Sequence, residues 1–141
     1  MNPEFNGGIQ RKLSLLDEQV GRLQTHLRDV AEDTFAEDWV LKSMTERALQ
    51  VCSEIMIDIA ERIIAIKGAG PVATSVEAVK KLVELQIIES EDPYIRIVRF
   101  RNLIVHHYEE IDPEILYDIV KNHLEDFRRF RDEMDRFIAG D

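Results

Sequence analysis

With 141 residues, 28 Asp and Glu against 18 Lys and Arg, and a net charge of −10, the chain fits one domain. It is too acidic for a general nucleic-acid coat, whose binding needs clustered cations, and DNA is not an expected partner. One cysteine excludes an intramolecular disulfide, and no stretch nears the roughly 20 apolar residues of a membrane span.

Residues 1–9 are polar and Gly-rich and read as a disordered N-terminal segment; residues 10–141 read as a single helical domain. Met1 to Gly8 lacks a basic stretch followed by an apolar one, so no signal peptide is expected and the setting reads as cytoplasmic. A first helix is predicted from about Gln10 to Asp33, with Leu13, Leu16, Val20, Leu23, Leu27 and Val30 on one stripe. A second starts after Asp38 as N-cap and reaches Lys67. Its inner face holds Leu41, Met44, Ala48, Val51, Ile55, Ile59 and Ile63, and Gly68-Ala69-Gly70-Pro71 stops it. Cys52 in this run reads as a buried, inert thiol, and Trp39 as a core or interface anchor. Asp58, among apolar neighbours, either pairs with an arginine of the fourth helix or faces water.

Thr74-Ser75-Val76-Glu77 fits a capping box and opens a third helix to about Glu89. Asp92-Pro93 then supplies N-cap and first residue of a fourth, ending between His106 and Glu109. Asp112-Pro113 repeats the signal for a long fifth helix to about Ile138. The fold class expected is therefore all-α, a compact up-down bundle of four or five helices.

The fourth helix carries the chemistry. Between Pro93 and Tyr108 there is no acid, yet Arg96, Arg99 and Arg101 all fall there. Arg96 and Arg99, with His107, are candidate RNA contacts; the plainer account of the two arginines is pairing with carboxylates on a solvated face. Asn102 and His106 lie about 40° apart on a helix, while Arg101 and His106 diverge by about 140°. Either the helix ends before His106, or a second copy of the chain completes the site across a symmetric interface. These residue types suit RNA cleavage without metal or cofactor. Histidine exchanges protons near neutral pH, arginine holds a phosphate, and asparagine can orient either. His26 and His123, on long amphipathic stretches, read as structural. Arg128-Arg129-Phe130-Arg131 reads as an ion-paired helix face rather than an RNA contact. No Cys/His spacing of a metal site and no phosphate-binding Gly loop is present.

Arg101-Asn102-Leu103-Ile104-Val105-His106-His107-Tyr108 resembles the Arg-x4-His-x-Tyr signature of HepT-like toxins in the HEPN superfamily. The likeness continues through Glu109 to Glu114 and Leu124 to Phe127. Upstream it takes in Arg47-Ala48-Leu49-Gln50, Ile57-Asp58-Ile59-Ala60, and Ser75 to Ile88. It implies a five-helix fold, a homodimer with the motifs facing a shared cleft, and metal-independent endoribonuclease activity. Arg101 and His106 would be the catalytic pair, with Asn102 in support. It also implies a nucleotidyltransferase antitoxin as partner and AMP transfer to Tyr108, which would block the cleft and offset the charge of Arg101. One departure is Gln86, where the family commonly has Gly; the other is His107, a second imidazole beside His106 that lies on another face. Two rival readings stand beside this one. The first is a non-catalytic helical binding module that docks and is modified by a nucleotidyltransferase; the second is a plain helical scaffold.

Overall fold

The computed structural model describes residues 7–106 and 109–140. Among the described residues the chain forms seven helices and no strand: α1 Gly8–Leu27, α2 Glu32–Glu37, α3 Trp39–Ile66, α4 Ser75–Glu84, α5 Tyr94–His106, α6 Pro113–Asn122 and α7 Glu125–Ile138. The all-α bundle is as expected. Its central member is α3, which touches each of the other six.

Local signals place most of the boundaries. The Asp38 carboxylate accepts from the Leu41 amide at 2.9 Å and starts α3. At the other end Gly68 takes φ 63°, and the amides of Gly68 and Ala69 close back on Ala65 and Ile64, so the left-handed stop is met by the residue that adopts it without strain. Asp112 caps α6 through the Glu114 amide, with Pro113 as its first residue.

Four expectations need correction. The first helix starts at Gly8 and stops at Leu27, not Asp33. Lys121 reaches across to its last carbonyls, and the Tyr117 hydroxyl donates to the carbonyl of Val30, so this end is satisfied from α6. Short α2 then inserts fully buried Phe35 against Tyr117. The third helix ends at Glu84, well before Glu89. Asp92-Pro93 precedes the fourth helix, which begins at Tyr94. The fifth breaks at His123-Leu124 into α6 and α7, where His123 bridges Asp118 and Asp126 at 3.2 and 3.7 Å. That contact bears out a structural role for His123.

The core stripe of α1 is Ile9, Leu13, Leu16, Val20, Leu23 and Leu27, packed on Cys52, Met56, Ile59 and Ile63 of α3, with Val98, Phe127 and Phe130 from the later helices. In the first half of α3 the buried stripe is Thr45, Leu49 and Cys52. Met44, expected inside, is 51% exposed; with half-buried Leu41, Ala48 and Val51 it lines an open apolar cleft against Leu23 and Leu27. Trp39 is 66% exposed and so is not a core residue. Asp58 pairs with Lys12 of α1 at 2.7 Å and with Arg62 one turn on, not with an arginine of the fourth helix. Among the described residues no helix is long and apolar enough to cross a membrane.

Candidate functional site

Helix α5 is held by its first half. Tyr94, Ile95, Ile97 and Val98 are buried, and the Tyr94 hydroxyl donates to the buried carboxylate of Glu133 at 3.0 Å. Burial foremost, then the charge and hydrogen bond of Glu133, push the Tyr94 phenol well above its ordinary value. With that end anchored, the second half of α5 lies closer to solvent: Arg101 to Ile104 are half-buried, and Val105 and His106 are exposed.

The three arginines meet different surroundings. Arg96 pairs with Asp92 at 3.7 Å and Asp126 at 4.0 Å, so the plain ion-pair account holds for it. Arg99 is exposed, with no ion pair among the described residues. Arg101 is held by neutral oxygens. Its Nε donates to Asn102 Oδ1 at 2.9 Å, and an Nη donates to the Ser75 hydroxyl at 3.0 Å. Among the described residues no carboxylate pairs with it. Guanidinium has five N–H donors, so both bonds together leave most of the fork and the whole of its charge uncommitted.

Ser75 was not picked out by the sequence. It is the first residue of α4, whose start is fixed by Thr74 Oγ1 accepting from the Glu77 amide at 3.1 Å. Glu77 in turn accepts from the Ala73 amide at 2.9 Å. The capping pattern locates that helix start, but nothing in one sequence says that it docks beside Arg101.

His106 is the last residue of α5. The helix therefore continues through it, and the alternative in which it ends earlier is not the one observed. On this helix Arg99, Asn102 and His106 fall on one stripe about 60° wide, while Arg101 turns away toward α4. Lys42 of α3 meets Glu110 at 3.8 Å, which ties down the chain beyond the motif, and Ile111 is buried. His107 and Tyr108, the remaining site expectations, lie outside the described residues.

The sequence and its helical fold have known counterparts. Residues 16–134 match the family model described as Ribonuclease HepT-like. The chain is similar to the mRNA nuclease HepT of Shewanella oneidensis, 30% identical over 130 residues, covering 91% of this chain and 96% of the relative. It is also similar to the tRNA nuclease HepT of Aphanizomenon flos-aquae, 25% identical over 126 residues and covering 86% of each. Among solved structures, a tri-AMPylated Shewanella oneidensis HEPN toxin in complex with MNT antitoxin superimposes with a TM-score of 0.83. It is 29% identical, with 96% of this chain and 99% of that one covered. A toxin–antitoxin with AMP-PNP gives 0.82 at 28% identity, covering 91% and 97%. The match spans both the bundle and the Arg101 to His106 helix, and by it this chain belongs to the HepT-like ribonuclease family.

Proposed function

We propose that this protein is the toxin of a toxin–antitoxin pair and cleaves RNA without metal, with Arg101 and His106 as its catalytic pair. The observation that carries the reading is the state of Arg101, oriented by two neutral acceptors and unneutralised in a chain of net charge −10. An arginine kept for packing would more economically face one of the chain's many carboxylates. One held this way is ready for a phosphate and for the extra charge the phosphate gains in the transition state.

In the reaction the imidazole of His106 takes the proton of a ribose 2′-OH, whose oxygen attacks the adjacent phosphorus. The P–O5′ bond breaks, and the departing oxygen takes a proton from water while the His106 imidazolium returns its own to solvent, leaving a 2′,3′-cyclic phosphate and a 5′-hydroxyl. Arg101 stabilises the charge on the phosphorane oxygens, and Asn102 fixes the guanidinium rather than touching the reacting atoms. Arg99 shares the His106 face and offers a phosphate contact along the strand; His107 is a further candidate contact.

Arg101 and His106 diverge by about 140° on a continuous helix and are offset by about 7.5 Å along it. A site using both is therefore completed by a second copy of the chain, making a homodimer the working unit. The relatives solved with an MNT antitoxin supply the partner by analogy. Here that partner would be a nucleotidyltransferase that transfers AMP to Tyr108, placing phosphates beside Arg101. Residues 10–141 would act as the single domain that carries all of this.

The test is cleavage of defined RNAs in EDTA by wild type and His106→Ala. Activity in the first and its loss in the second are expected; equal inactivity on diverse RNAs would sink the reading. For the partner, incubation with ATP and the cognate nucleotidyltransferase should add AMP-sized increments to the intact mass, absent in Tyr108→Phe.

A further inference from the structure

We infer that Ser75, on a helix outside the catalytic segment, is a positioning residue for Arg101, an inference that rests on the ribonuclease reading above. The Ser75 hydroxyl accepts from one Nη of the guanidinium at 3.0 Å, while Asn102 Oδ1 accepts from Nε at 2.9 Å. Each bond alone leaves the planar fork able to swing about the other. Together they fix two points of a rigid plane, and so its direction.

The two supports differ in kind. Asn102 is the next residue on α5 and moves with Arg101, so it sets the fork only relative to its own helix. Ser75 lies 26 residues upstream as the first residue of α4, a helix packed against both α3 and α5. The Ser75 bond therefore ties the fork to the body of the bundle. A hydroxyl also differs from a carboxylate in the part that matters here. It accepts the hydrogen bond without cancelling the positive charge, so the Nη is anchored and the cation remains available to phosphate. Arginine loses rotamer freedom when fixed, and a partner that fixes it before substrate arrives removes that cost from the reaction.

The experiment is steady-state cleavage of one defined RNA by wild type, Ser75→Ala, Ser75→Thr and Thr74→Ala, with thermal unfolding of each. A 2′-deoxy analogue, which lacks the attacking hydroxyl, reports binding alone. Ser75→Ala should lower kcat about 10-fold, the worth of one hydrogen bond to a charged group, with KM and affinity for the analogue within about twofold of wild type. Ser75→Thr keeps the hydroxyl and should recover to within about threefold of wild-type kcat. Thr74→Ala removes the helix cap without touching Arg101; it should lower the unfolding midpoint and leave kcat close to wild type.

A kcat for Ser75→Ala within about twofold of wild type overturns the inference. So does a loss in Thr74→Ala that matches it, because the effect would then be helix stability. In both cases wild type still cleaves, and the ribonuclease reading stands. A wild type that cleaves no RNA removes that reading and the role of Ser75 with it.

Discussion

Cys52 is fully buried on α3, and burial pushes its thiol from the ordinary 9.0 up to about 12. Below pH 9 folded and unfolded chains both carry the neutral thiol, and nothing is lost. Above it the unfolded chain ionises while the folded one keeps its proton, so stability falls by up to about 4 kcal/mol as pH approaches 12. Tyr94 acts in the same direction. Cys52→Ala should flatten the alkaline limb of a stability–pH profile, and native protein should resist iodoacetamide at pH 7.5. Rapid alkylation of the native fold would contradict this burial. At the same scale, Arg101, Asn102 and His106 were legible as residue types at a spacing, and Cys52 as a core thiol. Ser75 was not, because its bond to Arg101 spans 26 residues of chain and depends on how two helices dock.

Among the elements, α4 is followed by the one non-glycine residue at positive φ among the described residues. Gln86 sits at φ 61°, and the amides of Gln86 and Ile87 donate to the carbonyls of Val83 and Leu82. This is the left-handed helix stop, normally given to glycine. The geometry holds with a side chain present because buried Ile87 and Ile88 pull the chain back onto the core. Gln86→Gly should therefore stabilise the protein by about 1 kcal/mol, raising the unfolding midpoint by a few degrees. An unchanged or lower midpoint would show that Gln86 makes a compensating contact. Stops and caps with a local cause were readable: Asp38, Gly68, Thr74 and Asp112-Pro113 all sit at or beside a helix end. The breaks after Leu27 and at His123-Leu124 were not. No Gly or Pro marks either, and the apolar stripe runs straight through both, as Leu23, Leu27 and Val30 and then Val120, Leu124 and Phe127. Long-range bonds from Lys121 and Tyr117 close the first, and the pairs of His123 accompany the second.

For the whole molecule, the ribonuclease reading sets two charges against each other at different ranges: the −10 of the chain, and Arg99 and Arg101, neither of which has a carboxylate partner among the described residues. On that reading the acidic surface would repel the polyanion far away, while close in Arg101 would attract the reacting phosphate and Arg99 another along the strand. Screening shortens from about 30 Å at 0.01 M salt to about 8 Å at 0.15 M. Added salt should thus first raise kcat/KM over that range, opposite to the fall seen when binding is dominated by release of counterions from a basic surface. A steady fall from the lowest salt would mean that a basic track, not a point site, governs encounter. Periodicity also showed its limit at this scale. It identified the Leu41, Met44, Ala48, Val51 face correctly as apolar, yet it says nothing of what covers such a face. Here α1 covers only part, leaving a cleft of about 730 Å³.

Trp39 stands at the start of α3, five and six residues before Met44 and Thr45, and is the one tryptophan of the chain. Because its indole is 66% exposed, its emission should lie toward the red and be open to collisional quenchers such as acrylamide. Tyrosines contribute little at an excitation chosen for indole, so the signal belongs to a single known position. Anything that covers the first turns of α3, a second subunit or a partner chain, would shift that emission to the blue and shield it from quencher. The fold carries its own optical probe for assembly, with no label to attach and no substitution to make.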